Sequence, residues 1–243
     1  MSYKSVGIIG YGSFGQLLAD ELLGQIDEIL VADSSQLEAL PSGIKQASIE
    51  QIAKLDLVIL AVPISALKSV LEDLSDKLGS GSTVIDVCSV KLRPIHLMTQ
   101  LLPEKVNIIA THPLFGPQSI NNRDNLNVVV IEVRGATQPL ETLFTNIGWK
   151  IKKVDAEEHD KQMAVVQGLT FFISQALIDM NIEEPDLPTG SYNLLKQLNM
   201  IQAAHTRDLT NTIEGYNPYA NAIRRQFIDK AVEVDQAFLE IDR

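Results

Sequence analysis

Before Asp155 the apolar positions fall in short, nearly continuous runs. Ser5–Gly10 (SVGIIG), Glu28–Asp33 (EILVAD), Leu57–Val62 (LVILAV), Thr83–Val87 (TVIDV), Val106–Ala110, Asn127–Glu132 and Trp149–Val154 read as strands. Between them, Ser13–Gly24, Ser65–Leu78, Val90–Leu102 and Thr137–Ile147 carry apolar residues at helical spacing. Strands that are apolar at almost every position are covered on both faces. The alternation therefore predicts an α/β fold with a doubly wound, Rossmann-type parallel sheet.

The pattern changes at Asp155. Asp155-Ala156-Glu157-Glu158 has capping-box character, and a long helix is predicted over Ala156–Met180. Asn181–Pro188, with two prolines and several acids, reads as a loop. Two or three further helices follow, with a break at Gly215–Pro218. The predicted domains are 1–155, a dinucleotide-binding domain, and 156–243, a small all-helical domain. Helices so few bury little surface alone. Their apolar faces are expected to pack on a second copy, giving a homodimer through the helical domain.

Composition narrows the class. Of 243 residues, 45% are apolar and the formal net charge is −11. That balance argues against nucleic acid and against anionic membrane surfaces as partners. A small anionic substrate stays open, because a few placed cations or amides suffice for one. Cys88 is the single cysteine, so no disulfide framework forms within the chain. Met1-Ser2-Tyr3-Lys4 leads directly into a strand, and no apolar run reaches membrane-spanning length. A soluble cytoplasmic protein is expected. No cysteine pair, HExxH or GxSxG occurs, so neither a metal site nor a serine hydrolase is indicated.

Candidate chemistry begins at Gly10-Tyr11-Gly12-Ser13-Phe14-Gly15, a GxGxxG match. It follows a buried strand, opens a helix and precedes a strand ending in Asp33, the context a dinucleotide turn requires. Gly10 serves the tight turn, Gly12 the approach of backbone to pyrophosphate, and Gly15 the packing of helix on strand. The first amides of the helix, from Ser13 and Phe14 on, face the phosphates. Asp33 lies 23 positions after Gly10, where an acid accepts bonds from ribose hydroxyls and repels a 2′-phosphate. NAD is thus favoured over NADP. Val62 and Pro63, after the third strand, should flank the cofactor. Asp86–Ser89, after the fourth, opens on the same crevice.

His112 lies in Ala110-Thr111-His112-Pro113-Leu114-Phe115-Gly116-Pro117, read as a rigid loop after the fifth strand. A neutral imidazole there can take a proton from a substrate hydroxyl while hydride leaves the same carbon. Position alone also allows a structural loop histidine. Ser89 is equally suited to capping the next helix. Cys88 reads as a small buried residue. His159, in the first turn of the long helix, is expected to be partly exposed and hydrogen-bonded.

GIIGYGSFG, DVCSVK (Asp86–Lys91), THPLFGP (Thr111–Pro117) and EEHDKQMAVVQGL (Glu157–Leu169) together resemble the prephenate/arogenate dehydrogenase family of tyrosine biosynthesis. The resemblance implies oxidative decarboxylation of a cyclohexadienol, with hydride passing to nicotinamide and the ring becoming aromatic. It implies that His112 takes the ring hydroxyl's proton and that Ser89 bonds that hydroxyl or orients His112. Gln167 would line the substrate pocket. Family members usually carry histidines where this chain has Gly168 and Phe171, so the substrate carboxylates need other partners. Lys161, Arg207, Arg224 and Arg225 are candidates. With no chorismate mutase or regulatory segment recognisable, a monofunctional enzyme is expected. Two other readings stay open. One is another small dehydrogenase with a helical dimer domain, for which Lys161 or Lys196 would transfer the proton. The other is a dinucleotide-binding sensor without turnover, which Phe171 favours.

Overall fold

The apolar runs become strands because each can bury both faces. The computed structural model describes residues 3–241, and the chain divides into two compact units, Met1–Ala156 and Glu157–Arg243. In the first, β1 (Ser5–Ile9), β2 (Glu28–Ala32), β3 (Ile44–Gln46), β4 (Leu57–Leu60), β5 (Thr83–Asp86), β6 (Asn107–Pro113), β7 (Asn127–Arg134) and β8 (Lys150–Lys152) form one sheet. Their order is β3-β2-β1-β4-β5-β6-β7-β8. The chain winds outward from β1 in one direction and from β4 in the other. The crevice that binds ligands in such sheets opens between those two strands, at their carboxyl ends.

The intervening helices are α1 (Ser13–Leu22), the short α2 (Ile49–Ile52), α3 (Ile64–Leu74), α4 (Leu92–Leu101) and α5 (Gln138–Asn146). Their apolar stripes meet the sheet: Leu17, Leu18 and Leu22 of α1 join Val6, Ile8, Ile29 and Val31 in the core. Each fully buried aliphatic side chain contributes about 1.5–3 kcal/mol by leaving water. An aromatic cluster closes the far side. Trp149 meets Phe115 edge-on at 4.8 Å and Phe144 at 4.9 Å between ring centroids.

Three features depart from the sequence reading. The sheet is parallel except at one place, where β6 and β7 pair antiparallel. That partner extends β6 to Pro113, pairing His112 with Val129, so His112 belongs to a strand and not to the loop after it. Pro113, lacking an amide hydrogen, falls at the strand's last position, where ladder bonds can end. Third, the edge strand β3 and helix α2 were not anticipated. Ser48 closes a capping box with Gln51 at the start of α2.

The second unit is helical. Among its described residues are α6 (Ala156–Met163), a π-helical segment (Ala164–Leu169), α7 (Thr170–Asp179), α8 (Gly190–Ala203), α9 (Arg207–Tyr216) and α10 (Ala220–Ile241). The long helix predicted over 156–180 is thus present, interrupted by one wider turn. His159 is buried rather than partly exposed, its Nδ1 lying 2.8 Å from Asp160 Oδ1, and Asn217 Nδ2 donates to the Asp160 carbonyl at 2.7 Å. Every exposed large apolar residue among those described, Leu114 excepted, lies in this unit.

The aromatic cluster gives a direct test of the core. Phe144→Ala should cost about 3–5 kcal/mol, as large-to-small changes in packed aromatic cores do. Urea unfolding followed by the fluorescence of Trp149, the single tryptophan, measures it. A loss below about 1 kcal/mol would show that the cluster is not packed as described.

Candidate active site

The site begins where β1 meets α1. Gly10 has φ +96°, and a Cβ there would lie 2.4 Å from the Ala61 carbonyl oxygen, after β4. A Cβ on Gly15 would lie 2.0 Å from the Gly10 carbonyl oxygen. Both obstacles are backbone and cannot swing aside. Three main-chain segments therefore meet closer than any side chain permits. The Gly10 amide also donates to Ala32 at 2.8 Å, and the Ala61 amide to Ile9 at 2.8 Å.

Gly12 is the N-cap of α1, contributes no side-chain acceptor, and would place a Cβ in open space. The amides from Ser13 to Gly15 therefore lie at a helix start beside accessible backbone. This is the chemistry a pyrophosphate requires.

Asp33 stands at the carboxyl end of β2. Its Oδ2 accepts from the Tyr11 amide at 2.7 Å and its Oδ1 from the Ser35 amide at 2.8 Å. Burial alone would raise its pKa, but these amides and the Ser34 and Ser35 side chains hold it below the ordinary carboxylate value. Asp33 stays ionised at neutral pH, with lone pairs left for ribose hydroxyls. A cleft of about 370 Å³ adjoins it, lined by Tyr11, Gln16, Asp20 and the Gln36–Pro41 loop. Val62 packs against Gly10, and Pro63 is the N-cap of α3. All eight residues expected to hold a dinucleotide thus gather around one turn.

Ser89 and His112 lie further along the same sheet edge. Leu60 pairs with Asp86, and Asp86 with Ala110, so the ends of β4, β5 and β6 follow one another. Ser89 is half-buried in the loop after β5. It does not cap α4, whose N-cap is Lys91. The competing capping role is therefore absent. His112 is only 3% exposed. The segment after it is anchored: Leu114 N donates to Asn127 O at 2.8 Å, and Phe115 inserts against Trp149. Cys88 is buried, and that burial beside Asp86 pushes its thiol pKa up, so it is no nucleophile.

In the helical unit, Gln167 and Gly168 fall within the π-helical segment. Such wider turns recur at functional sites. Gln167 is half-buried, and its Oε1 is enclosed without a hydrogen-bond partner. Phe171 is buried and stacks on His205, with centroids 5.0 Å apart and planes 4° from parallel. Burial lowers the pKa of His205, so its ring is neutral at pH 7. No local pattern pointed to His205, because its partner is 34 positions away. Lys161 pairs with Glu157, and Arg224 with Glu214. Lys91, quoted above only within a motif, also proves to be fully buried.

The fold and turn define a nucleotide-binding α/β unit followed by a helical unit. Residues 31–126 match the family model described as the nucleotide-binding domain of prephenate dehydrogenase. The chain is 30% identical over 234 residues to arogenate dehydrogenase 1, chloroplastic, of Arabidopsis thaliana, covering 90% of this chain and 37% of that one. It is 28% identical over 210 residues to a probable arogenate/prephenate dehydrogenase of Methanocaldococcus jannaschii, covering 81% and 46%. It thus spans less than half the length of either relative. The crystal structure of A. aeolicus prephenate dehydrogenase in complex with hydroxyphenyl propionate and NAD+ superposes with a TM-score of 0.63 at 20% identity, covering 99% of this chain and 96% of that one. Its nucleotide-binding part thus resembles that of prephenate dehydrogenase, and most of the chain is similar to arogenate and prephenate dehydrogenases.

Gly15→Ala tests the turn. The forced Cβ should weaken dinucleotide binding by about 1–3 kcal/mol, roughly 5- to 150-fold, while the protein stays folded. Calorimetric titration measures it, and unchanged affinity would remove this turn from the binding site.

Proposed function

We propose that the chain is an NAD(P)-dependent dehydrogenase that oxidatively decarboxylates prephenate, arogenate or both, in the making of tyrosine. The observation that carries this reading is the shared sheet edge. The dinucleotide turn at Gly10–Gly15, the loop with Ser89 and the strand with His112 end side by side along it. The resemblance to prephenate and arogenate dehydrogenases supplies the reaction.

Gly10, Gly12, Ser13, Phe14, Gly15, Asp33, Val62 and Pro63 would hold the cofactor, which supplies a hydride acceptor when bound. NAD is the favoured form, since the ionised Asp33 accepts ribose hydroxyls and repels a 2′-phosphate. His112 accepts the proton of the ring hydroxyl as the C–H bond on the same carbon gives up its hydride. Ser89 bonds that hydroxyl or orients the imidazole. Loss of carbon dioxide then sends its bonding electrons into the ring, giving a phenolate that takes the proton back from His112 to become a phenol. Gln167 contributes to the substrate pocket.

A second reading, a dinucleotide-binding sensor without turnover, is favoured by one observation. Phe171 and Gly168 replace polar side chains of the family, and Phe171 is closed over by His205. A steady-state assay of both substrates against NAD and NADP separates the two. Turnover with NAD is expected, falling about 10²–10⁴-fold in His112→Ala. No turnover in any of the four combinations would leave the sensor.

The homodimer belongs to the same proposal. In the helical unit Leu194, Met200, Ile201, Phe238, Leu239 and Ile241 are all more than half exposed. Apolar area of this kind marks a contact surface. No helix among the described residues is long and apolar enough to cross a membrane. The single cysteine suits a reducing compartment, and we place the protein in the cytoplasm on that ground. Light scattering at micromolar concentration should give twice the chain mass, and a monomer would refute the assignment.

A further inference from the structure

The loop that carries Ser89 is closed by a buried ion pair that reaches the strand of His112. Lys91 and Asp86 are both fully buried. Lys91 Nζ lies 2.5 Å from Asp86 Oδ2 and 2.5 Å from the Thr111 carbonyl oxygen. The Cys88 amide donates to the same Asp86 oxygen at 3.0 Å. The Thr111 hydroxyl donates back to the Asp86 carbonyl at 2.6 Å. Residues 86 to 91 thus form a closed loop around one carboxylate, with Ser89 inside it. Two bonds pin that loop to the residue before His112.

The topology explains why a charge is used. β6 pairs with β5 only as far as Ala110 and then runs on to Pro113 against β7 alone. On the β5 side, the backbone of Thr111 has passed the end of the ladder. A buried carbonyl there requires a donor. Lys91 Nζ is that donor, and the Asp86 carboxylate is its partner on the other side.

Stability alone is a poor explanation of the arrangement. A buried ion pair usually gains nothing over apolar residues of similar volume, because both charges lose their hydration. Asp86 Oδ1 is moreover buried without a hydrogen-bond partner, so the group is not the best-satisfied one available. An apolar pair would pack the space but would leave the Thr111 carbonyl without its donor.

We propose that Lys91 is a positioning residue: its bridge from Asp86 to the Thr111 carbonyl sets the main chain at His112 and the loop at Ser89. This rests on the reading of those two residues as the substrate-facing pair. It assigns Lys91 no contact with substrate.

The test compares the full-length parent with Lys91→Met and with the neutral double variant Asp86→Asn/Lys91→Met. Four quantities are read: thermal midpoint, NAD affinity, kcat and KM, and the Cε1–H signal of His112 in ¹³C-labelled protein. The single variant is expected to be less stable, because Asp86 is left buried without its cation. The double variant should recover a midpoint and NAD affinity near the parent's. It should still show a displaced His112 signal and a kcat about a hundredfold lower, with KM little changed, as a misplaced catalytic group produces. Turnover restored in the double variant, or a His112 signal unmoved in it, would overturn the proposal and leave Lys91 a structural residue. A parent inactive on both substrates would sink the functional reading alone, and the His112 signal would then still decide whether Lys91 positions that strand.

Discussion

Everything at the ligand end of the sheet depends on one close approach. The backbone at Gly10 lies against Ala61, and α1 turns back over Gly10 at Gly15, with no room at either place for a methyl group. That contact sets where α1 begins. It aims the first amides of α1 at the crevice between β1 and β4. It also brings the Tyr11 amide onto the Asp33 carboxylate, which couples the phosphate end of the turn to the ribose end. A dinucleotide would therefore enter a site whose backbone donors and carboxylate are already in place, so that little ordering remains for binding itself to supply.

From that fixed origin the sheet acts as a ruler. β4, β5 and β6 carry their loops outward in order, with Ser89 after the second and His112 on the third. The antiparallel pairing with β7 holds His112 in a ladder, more rigid than a loop. Phe115 fastens the chain beyond it into the aromatic cluster, and Lys91 holds the chain before it. The catalytic candidate is thus clamped on both sides by groups that themselves need not touch the substrate. The helical unit is built differently. Its interior contains enclosed polar atoms on Gln167, Ser174, Asn199 and His205 without hydrogen-bond partners, and much of its surface is apolar.

Much of this was legible in the chain, for physical reasons. Strands buried on both faces leave unbroken apolar runs, so β1, β2, β4 and β5 could be placed to within a residue or two. The glycine turn and Asp33 announce themselves because a steric constraint and a charge each demand a residue type at a set spacing. Other features left no local mark. β3 is three residues long and shows no period. The reach of β6 past Ala110 depends on a partner that begins at Asn127, and Pro113 with Gly116 and Pro117 argued for a loop. Lys91 looks like an ordinary helix-start lysine until Thr111 is brought beside it. The stack of His205 on Phe171 depends likewise on the fold of the helical unit.

The central claim is that the dinucleotide turn and His112 serve one reacting centre. The most direct measurement is the distance from the His112 ring to the hydroxyl oxygen of a bound 4-hydroxyphenyl product, in a crystal of the complex with NAD. Hydrogen-bond reach is expected, about 2.6–3.2 Å or one bridging water. A product hydroxyl held by other groups, with His112 out of reach of it, would contradict the account.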